Sequence, residues 1–304
     1  MPSFVIRRLI QSVLTVFGVM LLTFLLFNVI AGDISYNYVS PKAPEQQRQA
    51  WLKRHGLDKP KRVQFFNHLY KSVTFQGRSY ATDQKLTTII AHKAKYSLGI
   101  TVPAMALGWI SAMIISCVVA YYRDTWVDRI GVFLAVLGMC VPFLAYMVLG
   151  QWLMFQINPE RAWGLDKPSN IYVPVLIAVV AGIGGSVRFY RTVFLDEIGR
   201  DYVRTARAKG VPLYSVLFSH VLKNCMLPIL TNLVTAIPFL IMGSLLLERF
   251  FGVPGLGDLM LSSITTRDVP IITGLTFLTA VVYVVSLLVT DVMYAVFDPR
   301  IRLR

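Results

Sequence analysis

Leu9-Ile-Gln-Ser-Val-Leu-Thr-Val-Phe-Gly-Val-Met-Leu-Leu-Thr-Phe-Leu-Leu-Phe-Asn-Val-Ile30 contains no Asp, Glu, Lys or Arg. As a helix rising about 1.5 Å per residue, this stretch exceeds the roughly 30 Å hydrocarbon core of a bilayer. The same test yields Tyr96 to Tyr122, Ile130 to Pro159, Pro168 to Val187, Asn224 to Leu247 and Val269 to Thr290. Six spanning helices are therefore predicted. Composition agrees: of 304 residues, 55% are apolar and 15% charged, against roughly 25% charged in soluble domains, and mean hydropathy is +0.59. A greasy soluble bundle would need polar faces at a 3.6-residue period, whereas these windows are apolar all round.

Pro103, Pro142, Pro174, Pro228 and Pro238 fall in or beside the windows, which predicts kinks whose freed backbone groups neighbouring helices or water take up. Gly182, Gly184 and Gly185, with Ala178 and Ala181, offer small faces for close helix packing.

With six spans both termini share a side. That side carries fourteen Lys and Arg, including Arg7, Arg8, Arg123, Arg129, the Arg188–Lys223 loop, and Arg300, Arg302 and Arg304. The opposite short loops hold Arg161, Lys167, Arg249 and Arg267, so the positive-inside rule places both termini in the cytoplasm. The Gly32–Lys95 segment carries twelve Lys and Arg against Asp33, Glu45, Asp58 and Asp83, yet falls outside. It is near the length beyond which loops translocate regardless of charge. Helical stretches at Glu45–His55 and Val63–Phe75 mark it as a small folded cap. Arg7 and Arg8 before a run too long for a signal-peptide core predict an uncleaved first helix.

The six windows lack the intramembrane charges that commonly mark ion-coupled carriers. The chain has no P-loop, so any energy used arrives from another chain. His55, His68, His92 and His220 lack metal-ligand spacing, and Cys117, Cys140 and Cys225 define no disulfide framework. Asp196, Glu197 and Asp201 lie among Arg188, Arg191, Arg200 and Arg204 and read as neutralised partners rather than an active site. Without aromatic-basic interleaving, the segment is not a nucleic-acid surface.

In the Arg188–Lys223 loop, helix formers run up to Gly210, with Pro212 two residues on. A short helix should end there with Gly210 left-handed. A second short helix is predicted over about Leu213 to Met226, and the pair would form a plug that another protein could grip.

The stretch Arg204-Thr-Ala-Arg-Ala-Lys-Gly210 resembles the loop motif of ABC importer permeases, in the form typical of the dipeptide, oligopeptide and nickel branch. His55-Gly-Leu-Asp-Lys-Pro60, Val253-Pro-Gly-Leu-Gly-Asp258, Arg267-Asp-Val-Pro270 and Asp298-Pro-Arg-Ile-Arg302 follow the family's order. Two stretches depart from it: Arg204-Thr205-Ala206 replaces Glu-Ala-Ala, and Phe75-Gln-Gly-Arg-Ser-Tyr80 replaces a common Gly-Asp-x-Gly-x-Ser.

The resemblance implies an all-α, six-span type I ABC importer permease of the first-permease kind in a bacterial inner membrane. It divides into residues 1–31 with the first span, an extracytoplasmic domain over 32–95, and a core over 96–304 with a coupling loop at 188–225. It implies a second permease, usually a different chain, two ATPase subunits that carry ATP and magnesium, and an extracytoplasmic substrate-binding protein. The chain itself would be non-catalytic and hold no cofactor. Coupling would rest on Arg204, Thr205, Ala206, Arg207, Ala208, Lys209 and Gly210, with Ala206 and Ala208 permitting close approach. Pro142, Phe143, Gly243 and Ser244 are the candidate pathway residues, chosen for kinks, small size or a hydroxyl. Pro254, Gly255 and Gly257 are the candidate outer gate, since glycines permit tight turns. Peptides are the expected cargo; nickel chelates, oligosaccharides or another small solute are the alternatives. From a different class, the rival is a self-sufficient channel or sodium-coupled carrier.

Overall fold

The computed structural model describes residues 2–40, 42–158, 171–242 and 245–297. Gly243, Ser244, Arg161, Lys167, the Asp298–Arg302 stretch and Arg304 lie outside them. Apart from one bridge between Arg78 and Lys85, the regular elements among the described residues are helices.

Helix α1 (Pro2–Phe24) continues as a π-helical stretch over Leu25–Ile30. Next come α2 (Glu45–His55), α3 (Lys61–Val73), α4 (Leu86–Tyr121), α5 (Trp126–Cys140) and α6 (Phe143–Ile157). Then follow α7 (Tyr172–Ile198), α8 (Asp201–Ala208), α9 (Leu213–Val216), a π-helical stretch over Leu217–Val221, and α10 (Leu222–Met242). The chain closes with α11 (Leu245–Phe250), α12 (Leu256–Thr266) and α13 (Val269–Phe297). Ile6–Ile30, Leu86–Tyr121, Tyr172–Ile198, Tyr214–Leu240 and Val269–Met293 are each long and apolar enough to cross a membrane. Their surfaces display large apolar side chains, among them Leu14, Ile114 and Phe239 at 68%, 59% and 69% exposure. That is the surface of a protein solvated by lipid.

In the third window the predicted kink at Pro142 is a break: α5 and α6 meet at a bend of 98°. Val141 and Pro142 are extended, and Pro142 opens α6. Proline disfavours helical geometry in the residue before it, and the Tyr146 hydroxyl donates to Gly138 O across the bend at 2.9 Å. By contrast, α4 runs unbroken through Pro103, and α10 through Pro228 and Pro238. The second predicted loop helix is corrected, because Leu213 to Met242 is helical throughout and joins the following span. Its local apolar pattern resembled a separate element, yet packing onto α7 carries it straight into the bundle.

The tightest seam joins α4 to α7, where buried Ser116 donates to Ala112 O and Val187 O. Of the three predicted packing glycines, Gly184 is the close-approach position: a Cβ there would lie 2.6 Å from Ala135 O on α5. Gly182 and Gly185 have open space. Arg8 pairs with Asp291 at 3.1 Å, tying α1 to α13. The segment between α1 and α4 is folded. Arg48 joins Asp33, Tyr36 and Glu45, while Trp51 stacks on Tyr38 at 5.3 Å and meets Tyr80 edge-on. Helix α4 begins at Leu86, so the last turns of the predicted loop are already part of that span.

Candidate functional site

Helix α8 lies at the end of the bundle that carries Arg8 and Arg123. Its pattern is amphipathic on a short scale. Val203 is 2% exposed and joins Phe194, Val216 and Leu217 in one apolar cluster, with Tyr202, Ala206 and Val211 packed against its edge. Burying such a side chain contributes about 1.5–3 kcal/mol. The Tyr202 hydroxyl donates to Glu197 Oε2 at 2.9 Å, fixing α8 to the end of α7. Helix α7 is itself clamped by Arg191, whose Nε and Nη2 donate to the two Asp128 oxygens at 2.7 and 2.8 Å. Asp128 is buried, and this forked pair holds the start of α5 against α7.

Gly210 takes φ +82°. The Gly210 amide donates to Arg207 O and the Val211 amide to Ala206 O, a paired closure that satisfies the last carbonyls of α8. The helix thus stops where the Gly210–Pro212 spacing predicts. Arg204, Thr205, Arg207, Ala208, Lys209 and Gly210 are all exposed. Ala206 is not part of that face: it packs inward, and only Ala208 offers a small exposed side chain for close approach. Arg200 and Arg204 face Glu197 and Asp201, but Arg191 is committed to Asp128 rather than to that acidic group.

At the opposite end of the bundle, α11 and α12 form a hairpin around a buried carboxylate. Glu248 is 1% exposed and Ser97 of α4 is fully buried. Glu248 Oε1 accepts from the Ser97 hydroxyl at 2.6 Å, and Oε2 accepts from the Gly257 and Asp258 amides at 2.8 and 3.0 Å. Ser97 Oγ accepts in turn from the Leu256 amide at 2.7 Å. The first amides of α12, which have no partner within the helix, are therefore capped by residues of α4 and α11. Burial pushes the Glu248 carboxyl above its ordinary range, while Ser97 and the two amides oppose that shift.

This geometry explains the glycines of the predicted gate. A Cβ on Gly255 would lie 2.5 Å from Ser97 Oγ, and one on Gly257 would lie 2.8 Å from Leu245 Cα. Close approach rather than turn geometry is what requires them, since the left-handed position is Gly252, at φ +64°. Pro254 is half-buried beside them. A second buried carboxylate, Asp268, accepts from the Ser79 hydroxyl at 2.5 Å and from the Tyr80 and Ala81 amides at 3.1 and 3.3 Å. It fixes the segment between α1 and α4 to the start of α13.

Of the candidate pathway residues, Gly243 and Ser244 lie outside the described residues, and Pro142 and Phe143 sit at the α5–α6 bend. Pro142 is exposed, and Phe143 lines a cavity of about 240 Å3 with Ala178, Ala181 and Gly182. A larger apolar cavity of about 360 Å3 lies among α1, α10, α12 and α13, lined by Thr15, Pro238, Phe239, Met260, Thr279 and Tyr283 among others. Neither Pro142 nor Phe143 reaches it.

Residues 1–99 match the N-terminal family model of binding-protein-dependent transport system membrane components, and residues 104–303 match that of the inner membrane component. The chain belongs to this permease family. It is 33% identical over 307 aligned positions to the glutathione transport system permease protein GsiC of Escherichia coli K12. The same holds for GsiC of Shigella flexneri serotype 5b and of Salmonella typhimurium, with 99% of each chain covered. The protein is thus a non-catalytic, multi-spanning permease subunit of an ABC importer.

Within the permease, the stretches that carry the resemblance act as structural joints. Gly56 ends α2 at φ +72°, Gly255 and Gly257 admit Glu248 and Ser97, and Arg267-Asp-Val-Pro270 supplies Asp268 to the departing stretch Phe75–Tyr80. Sequence reasoning missed Glu248, Ser97, Asp268 and the Asp128–Arg191 clamp. Glu248 stands one residue past a charge-free window and directly before a glycine-rich stretch. A carboxylate at a span's edge before glycines is the signal that could have found it.

Proposed function

We propose that the permease forms half of a translocation pathway for peptides, which a substrate-binding protein delivers on the side carrying residues 32–95. Two ATPase subunits on the opposite side supply the energy. The relatives' name, glutathione transport, supports the peptide class, since glutathione is a tripeptide. In this reading α5 and α6 together make one broken span, giving six, and the basic residues flanking the spans put both termini in the cytoplasm. A second, similar permease completes the pathway. Pro142, Phe143, Gly243 and Ser244 remain the proposed pathway residues, and the apolar cavity among α1, α10, α12 and α13 is a further proposed part of the pathway wall.

The observation that carries this reading is the construction of α8. Its underside is anchored in the bundle through Val203, Tyr202 and Ala206, while its other face exposes Arg204, Thr205, Arg207, Ala208 and Lys209. A helix so held passes displacement of a bound partner directly to α7 and α10. A groove on each ATPase would take this face, so that closure of the ATPase pair moves the spans as rigid bodies. Affinity purification of the detergent-solubilised chain tests the proposal. Co-purification of a P-loop ATPase and a second multi-span chain, with ATPase activity, is the expected result. A lone chain that transports in liposomes without ATP would overturn it.

A further inference from the structure

Helix α3 is apolar on two sides: Phe65 packs inward on α1, and a second apolar stripe faces outward. Val63, Phe66, Tyr70 and Val73, at 42%, 68%, 61% and 61% exposure, form a stripe facing away from the protein. Gln64, Asn67, His68 and Lys71 line a polar cleft of about 580 Å3, open on one side, between this segment and the start of α13. A surface helix in water has one apolar stripe, turned inward.

The depth of α3 can be read from its neighbours. The Arg8–Asp291 pair marks one membrane boundary. About twenty helical residues cross the hydrocarbon core, which puts the other boundary near Asn28 on α1 and Ile271 on α13. At that level Lys61 Nζ donates to Asn28 O at 2.7 Å, and Asp268 holds Ser79. Between these anchors the chain dips below the boundary. Phe65 packs on Phe24 and Phe17 at 5.2 and 6.0 Å, and Phe75 packs on Phe277 at 5.5 Å. At about 1.5 Å per residue, Phe24, Phe277 and Phe17 lie roughly 6, 9 and 16 Å inside.

We propose that α3 is a re-entrant helix whose Val63, Phe66, Tyr70 and Val73 stripe is covered by the acyl chains of the adjacent lipid leaflet. On the first span, which α3 packs against through Phe65, Leu21 and Leu22 of α1 and Leu25 of its π-helical continuation are likewise exposed. Arg62 beside Lys61 sits at headgroup level, where its charge meets phosphate. Irregular backbone after α3 is tolerated there because it runs beside α13, where Phe75 meets Phe277, and lines the polar cleft, whose water can hydrate it.

The test places single cysteines in a background lacking Cys117, Cys140 and Cys225. Phe66→Cys and Tyr70→Cys are labelled with bimane in the full-length chain, co-expressed with the subunits that co-purify with it and reconstituted in vesicles. Leu14→Cys, at 68% exposure within α1, is the lipid reference, and Asp58→Cys, at an exposed loop position, is the aqueous one. A nitroxide on the acyl chain should quench both α3 labels as fully as it quenches Leu14→Cys, and iodide should quench them little. Val73→Cys serves where either variant fails to assemble. Iodide quenching equal to that at Asp58→Cys would overturn the proposal, as would protection from both quenchers, which would mean that another protein chain covers the stripe.

Discussion

Replacing Gly255 with alanine should weaken the permease far more than a single added methyl normally does. The new Cβ would stand 2.5 Å from Ser97 Oγ and closer still to the Glu248 carboxylate, where ordinary contacts begin at 3.4 Å. One of these groups must therefore retreat by about 1 Å, outside hydrogen-bond range. Ser97 is fully buried and Glu248 is 1% exposed, so water cannot replace the lost partner. Separating a buried carboxylate from its hydrogen-bond donor costs about 3 kcal/mol, the upper end for a buried bond to a charged group. At about 2 °C per kcal/mol for a chain of this size, Tm of the purified transporter should fall by about 6 °C. Gly252→Ala is the control, because it meets only the cost of a left-handed alanine, about 1–2 kcal/mol, with no atom within 4 Å. Glu248→Asp withdraws the carboxylate by one methylene and should restore part of the loss in the Gly255→Ala background. Thermal unfolding followed by tryptophan fluorescence reads all three. A Gly255→Ala protein as stable as Gly252→Ala would refute the account of this hairpin.

Gly210 has open space around it but φ +82°, so Gly210→Asn should keep transport coupled, while Gly210→Val should strain the end of α8 by about 2 kcal/mol or more and separate ATP hydrolysis from uptake without lowering Tm much; unchanged vesicle uptake in Gly210→Val would count against the coupling role. Asp268→Asn turns an amide donor toward the Tyr80 or Ala81 amide, at a cost of about 1.5–3 kcal/mol, and should raise hydrogen exchange over residues 76–85 while the spans stay protected. Exchange there equal to wild type would remove Asp268 as the anchor. Because burial raises the folded Glu248 carboxyl above the ordinary glutamate value of 4.5, the unfolded chain releases that proton first, so stability falls as pH rises from about 4.5 through the raised value. Glu248→Gln should abolish that part of the slope in Tm against pH, and parallel slopes for the two proteins would contradict it.

The spanning helices were legible from charge alone, because the transfer free energy of a helix into lipid is close to a sum over its own residues. The end of α8 was legible for a similar reason: Gly210 answers a purely local demand for positive φ, and Pro212 forbids continuation. The amino-acid order was equally sufficient for the family, since motifs such as Arg204–Gly210 and Val253–Asp258 keep their succession along the chain. What tertiary structure alone decided lies in contacts between distant residues. Ser97 and Glu248 stand 151 positions apart, and Ser79 and Asp268 stand 189 apart, so no window of sequence contains either pair. The inward turn of Ala206 and the depth of α3 likewise depend on which neighbour each helix packs against. Apolar length shows that a segment enters the membrane, but its orientation and its partners there are set by side-chain packing and by buried polar groups that must find one another.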